Sequence, residues 1–190
     1  MTYSFQTTKV LLVEDNAPML ELLKGILQSF GIGTIITAMD GEEGFLKFCQ
    51  NNPDLVITDW MMTPCDGIAL SHKIRNEKKS PNQYVPIILM TGFSEKRRVF
   101  SARDAGITEF LVKPFNTRDL YKRLHQIIER PRQFVRCEEF FGPDRRRKTT
   151  KDHDGLQRRQ DDSGNTDEQN EDHTAEAQNN DGPLTDIDFL

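Results

Sequence analysis

Asp59 ends a short apolar run, Asp54-Leu55-Val56-Ile57-Thr58-Asp59, and three other such runs end in groups suited to the same chemistry. Lys9 to Val13 runs into Glu14-Asp15, Pro86 to Met90 into Thr91-Gly92, and Phe110 to Val112 into Lys113-Pro114. Carboxylates forced together repel, and a hard dication such as Mg²⁺ relieves that repulsion while keeping several of its own waters. Glu14, Asp15 and Asp59 are therefore the candidate metal ligands. Asp59 is also a candidate nucleophile, able to form an acyl phosphate. Lys113 would pair with one equatorial phosphoryl oxygen and Thr91 would hydrogen-bond another. This combination points to a signalling switch rather than a metabolic enzyme.

Such groups need a scaffold that brings strand ends together, and the first 130 residues supply one. Strands are expected at about 9–13, 34–38, 54–58, 86–90 and 109–112. Between them lie amphipathic stretches that read as helices. Pro18 suits the first turn of a helix whose apolar face runs from Met19 to Phe30 and which Gly31 closes. A second helix follows Asp40-Gly41 and stops before Asn51-Asn52-Pro53. A third is expected around 66–76 and a fourth around 94–105, ended by Gly106. Thr117 is expected to cap a fifth, carrying Leu120, Leu124, Ile127 and Ile128.

Five strand-then-helix repeats imply an α/β fold: a doubly wound, five-stranded parallel sheet covered on both faces, for which 2-1-3-4-5 is a common strand order and the one expected here. Ligands bind such sheets beyond the carboxyl ends of the strands, where strand order reverses, between the first and third strands. Glu14, Asp15 and Asp59 belong to those two strands.

The net charge of -5 conceals a division along the chain. Residues 1–141 hold 18 Lys/Arg and 17 Asp/Glu, residues 142–160 hold 7 and 3, and residues 161–190 hold 10 acids and neither Lys nor Arg. Three well-separated cysteines suit a reducing compartment better than a disulfide framework. Neither a signal peptide nor an apolar run long enough to cross a bilayer is present, which leads us to expect a cytoplasmic protein. There is no nucleotide-binding Gly-rich loop, and the four histidines show no ligand-like clustering.

Together these motifs resemble the bacterial response-regulator receiver domain of the stand-alone, chemotaxis-regulator (CheY-like) kind. The likeness rests on Val13-Glu14-Asp15-Asn16, Asp59-Trp60-Met61-Met62-Thr63-Pro64-Cys65-Asp66-Gly67, Met90-Thr91-Gly92 and Phe110-Leu111-Val112-Lys113-Pro114-Phe115, and it covers about residues 7–130. It implies that Asp59 is the phosphoacceptor and that the backbone carbonyl of Met61 completes a Mg²⁺ shell with Glu14, Asp15 and Asp59. It implies that Thr91 and Phe110 form a switch pair and that Lys113-Pro114 is a cis peptide. The partners implied are a histidine kinase or histidine phosphotransfer protein and a downstream protein. The latter would meet the face made by the fourth helix, fifth strand and fifth helix (α4-β5-α5 of the family). Such a chain is a binding switch that assists its own phosphorylation and dephosphorylation, not an enzyme in the ordinary sense.

One loop departs from the family's commonest pattern, in which Pro follows the second Met. Here Thr63 stands there and Pro64 comes one later, which predicts altered loop rigidity rather than lost chemistry. Met61 and Phe93, two residues after Asp59 and Thr91, are expected to obstruct an attacking water. Trp60 reads as a partly exposed loop residue.

Residues 131–141 contain Phe134, Val135, Phe140 and Phe141 and form a possible packed extension. From Gly142 to 190 the chain has little to bury and reads as a disordered tail, basic and then acidic. A phosphate sink without a dedicated output is one alternative function. Another is a receiver that gates DNA association through the basic tail, although scattered cations attract phosphate without reading bases.

Overall fold

The protein is described by a computed structural model covering residues 5–92, 105–137 and 140–144. Five short runs of aliphatic and β-branched residues form strands: β1 (Lys9–Val13), β2 (Thr34–Ala38), β3 (Leu55–Asp59), β4 (Ile87–Thr91) and β5 (Glu109–Val112). They pair in parallel in the order β2-β1-β3-β4-β5. This is the doubly wound arrangement expected, with the reversal point between β1 and β3.

β3 and β4 are buried along their whole length, because helices cover both sheet faces. Alternating side chains divide the interior in two. Leu11, Val13, Val56, Ile87 and Leu89 point to a layer shared with Phe48, Leu70 and Ile74. Val10, Leu12, Ile57, Ile88, Met90 and Leu111 point the other way, onto Leu20, Leu23, Leu27, Leu120 and Leu124. The helices that carry these residues are α1 (Ala17–Ser29), α2 (Gly41–Asn51), α3 (Gly67–Asn76) and α4 (Thr117–Glu129).

Each helix starts on an Asn or Asp whose side chain accepts backbone N–H groups that have no partner within the helix: Asn16, Asp40, Asp66 and Asn116. Pro18 occupies the first turn of α1, and Gly31 follows the helix at φ +79°. The cap of α4 is Asn116, not Thr117. Its side chain accepts the Asp119 N–H while the Asp119 carboxylate accepts the Asn116 N–H, a reciprocal pair that a hydroxyl one residue later does not form. The helix expected around 94–105 lies outside the described residues.

Beyond α4, β6 (Phe134–Cys137) and β7 (Phe140–Pro143) form an antiparallel hairpin. Gly142 and Pro143, assigned to the tail on composition, belong to this hairpin because Gly142 pairs with Val135 and Pro143 with Phe134. The chain divides into a unit Met1–Lys148 and a unit Thr149–Leu190, the second lying outside the described residues. Among the described residues no helix is long and apolar enough to cross a membrane.

Candidate functional site

The sheet register brings the chemically matched strand ends level. Val13 lies beside Thr58, Asp59 beside Met90, and Thr91 beside Val112. The residues that follow β1 and β5, Glu14-Asp15 and Lys113, therefore meet Asp59 at one edge. Ligand oxygens of Glu14, Asp15 and Asp59 all lie within 4.8 Å of one another. Lys113 Nζ is 2.7 Å from Asp59 Oδ1 and 3.0 Å from Glu14 Oε2. Among the described residues, one ammonium thus faces a cluster of three acids, a local excess of negative charge.

That excess shows in the electrostatics. Glu14 is 2 % exposed, and its carboxyl is held above the usual range. Burial is the main cause and the charge of Asp59 adds to it, while the hydrogen bond from Lys113 works against it. For Lys113 burial favours the neutral amine, yet Asp59 and Glu14 together outweigh it and the ammonium is held more firmly than usual. Asp59 is 8 % exposed and Asp15 open to solvent, so the cluster is buried at the back and wet at the front. Three oxygen donors at this spacing, with uncompensated charge and solvent access, fit a hard dication that retains waters.

Local backbone chemistry holds the nucleophile candidate. Trp60 N–H donates to the Met90 carbonyl, and Gly67 N–H donates to the Trp60 carbonyl, both at 3.0 Å. The loop between Asp59 and α3 is thereby folded back on the strand end. A Cβ added at Gly67 would sit 2.1 Å from the Asp59 carbonyl oxygen, so only glycine fits there. The peptides Thr63-Pro64 and Lys113-Pro114 are both cis, the second as expected and the first not foreseen.

Thr91 is buried at the end of β4, with its hydroxyl 3.3 Å from the Gly92 carbonyl. Phe110 lies on β5 beside Leu89, half-buried against the interior layer of Leu11, Phe48 and Leu70. Met61, two residues after Asp59, is 56 % exposed, whereas Phe93 lies outside the described residues.

Trp60 corrects the sequence reading. It is 5 % exposed and part of the core, because the fold-back of its loop turns the indole inward. Two other participants were missed. Asn16 caps α1 and donates its N–H toward Glu14 Oε1 at 3.4 Å, linking the helix start to the acid cluster. Glu109, buried at the start of β5, gathers Arg123, Gln126 and Arg132. Asn16 was legible as a cap ahead of Pro18. Glu109 carried no local signal, since Arg123, Gln126 and Arg132 lie 14 to 23 residues downstream.

Known proteins resemble this chain over the five-stranded part. A family model described as the response regulator receiver domain matches residues 10–125, more than half of the chain. Chemotaxis protein CheY-3 of Vibrio cholerae is 30 % identical over 122 residues, covering 64 % of this chain and 92 % of that protein. A protein described as a probable transcriptional regulator, ycf27 of Porphyridium aerugineum, is 31 % identical over 125 residues, which are 66 % of this chain and 50 % of that one. The match thus spans about half the length of the ycf27 relative. A crystal structure of a two-component response regulator from Clostridium difficile superposes with a TM-score of 0.57 at 32 % identity, covering 65 % of this chain and 97 % of that one.

Proposed function

Since the chain belongs to the response-regulator receiver family, we propose that it is a phosphoacceptor switch of a two-component phosphorelay, with Asp59 as the residue modified. The observation that carries this reading is the 2.7 Å contact between Lys113 Nζ and Asp59 Oδ1, within a cluster of three acids. An ammonium and a carboxylate that already touch can both contact one small anion.

The donor is a phosphohistidine of a histidine kinase or phosphotransfer protein. An Asp59 carboxylate oxygen forms a bond to phosphorus as the phosphorus–nitrogen bond breaks, and the departing imidazole nitrogen keeps the electron pair and takes up a proton. Lys113 exchanges its carboxylate contact for an equatorial phosphoryl oxygen, and the Thr91 hydroxyl hydrogen-bonds another. Glu14, Asp15, Asp59 and the Met61 carbonyl would hold Mg²⁺, which supplies charge neutralisation for the incoming phosphoryl group. Thr91 moves toward the phosphate and Phe110 turns into the space left behind, a population shift between two packings. The signal passes by protein contacts on the face containing β5 and α4.

Incubation with Mg²⁺ and a phosphorylated histidine kinase, or with phosphoramidate as a small donor, tests this directly. The wild-type chain should acquire one acid-stable, hydroxylamine-labile phosphoryl group, and Asp59→Ala should acquire none. Labelling of Asp59→Ala at the wild-type level would remove the basis of the proposal.

A further inference from the structure

The segment from Arg132 into the hairpin β6–β7 reaches the approach to β5 at two points, Phe134 through Arg75 and Arg132 directly onto Glu109. Arg75, near the end of α3, is 1 % exposed and, among the described residues, faces no carboxylate. Burial pushes its pKa down to about 9, which still leaves a buried cation at neutral pH. Its charge is met by carbonyls: Nε and Nη2 donate to Gly106 O at 3.1 and 2.9 Å, and Nη1 donates to Gln83 O at 2.8 Å. Gly106 stands at φ +76°, and a Cβ there would come within 2.9 Å of the Arg75 side chain. The open side of the guanidinium is covered by the ring of Phe134 from the hairpin, 5.1 Å from Cζ. Tyr84 holds Phe134 and Phe141 edge-on, each at 5.2 Å.

The second grip lies three residues along. Arg132, on the approach to β6, donates to buried Glu109 at 2.8 Å, beside Arg123 and Gln126 of α4. Between the two grips, Thr108 exchanges hydrogen bonds with Ile87 at 3.0 Å in both directions. The backbone from Gly106 to Glu109 is thus anchored immediately before Phe110, on the strand that also leads to Lys113. Asp144 N–H, at the far end of the hairpin, returns to Gln133 O at 2.6 Å and closes the loop.

We propose that residues 131–137 and 140–144 are a conformational strap: by clamping the base of β5 they favour the unphosphorylated packing of Phe110 and raise the cost of switching. The strap deepens the phosphoacceptor reading, on which its regulatory half rests. A state favoured in the free protein lowers the apparent affinity of any ligand that selects the other state. Loosening the strap should therefore tighten the response to a phosphoryl mimic.

The test uses the full chain with Phe134→Ala and Arg132→Gln, and Val135→Ala as a control on the exposed side of β6. Mg²⁺ and beryllofluoride are titrated against the fluorescence of Trp60, the chain's one tryptophan. Both strap variants should melt earlier, and their half-saturating beryllofluoride should fall by about threefold or more, while Val135→Ala stays at wild type. Unchanged half-saturation in the strap variants, or an equal shift in Val135→Ala, overturns the proposal. If the wild-type chain itself gives no response to beryllofluoride, the phosphoacceptor reading fails instead. Melting then still decides the strap, because strap variants that melt with wild type show that nothing is clamped.

Discussion

At the scale of single residues, the site depends on close approach. Lys113 can touch Asp59 and Glu14 together only because β5 delivers it level with the ends of β1 and β3. Gly67 is the least replaceable of the supporting residues, since a methyl group there would collide with the carbonyl of Asp59 itself. We expect Gly67→Ala to lower stability by about 1–3 kcal/mol, the ordinary range for overpacking. On the proposed function it should also slow phosphorylation, because the clash displaces the peptide of Asp59 itself. Denaturant melts and a phosphotransfer time course measure the two effects, and an unaltered melt would show that the loop yields freely. The same position was readable in the sequence only as part of an Asp-Gly pair, which marks a turn without saying what lies behind it.

At the scale of elements, the helices begin where their caps dictate. Asn116 and Asp119 satisfy each other's backbone N–H groups at the start of α4, whereas Thr117 is the first helical residue. Asn116→Ala should therefore cost about 1 kcal/mol, and Thr117→Ala markedly less, as read by thermal denaturation of the two variants side by side. An equal loss in both would restore the assignment made from sequence. The error arose because Asn and Thr are both good caps and stand next to each other. Only the backbone, extended at Asn116 with φ -107° and ψ 169°, separates them. Strand positions were easier to read, because parallel strands covered on both faces must be nearly continuous apolar runs. Two of the five, β3 and β4, begin and end one residue later than expected. Their last residues, Asp59 and Thr91, are site groups still held in the sheet ladder.

At the scale of the whole molecule, the sheet concentrates negative charge at one edge, which among the described residues one ammonium relieves. Mg²⁺ should therefore raise the melting temperature, and a chelator should reverse the change. At ten times the dissociation constant the stabilisation is about 1.4 kcal/mol. Asp15→Asn, which removes the solvent-facing acid, should lose most of it. A melting curve indifferent to Mg²⁺ would show that the three acids do not form a metal site.

The doubly wound fold, and the placing of Glu14, Asp15, Asp59, Thr91 and Lys113 at the carboxyl ends of its strands, were determined by the sequence alone. Each of these residues ends an apolar run, and parallel strands must bring their carboxyl ends to one side of the sheet. Tertiary structure alone decided the inward turn of Trp60, the burial of Arg75 against backbone carbonyls, the network around Glu109 and the docking of the hairpin. The reason is distance along the chain. Arg75 meets Gly106 and Phe134, and Glu109 meets Arg132, across separations at which no local pattern of residue types specifies a partner.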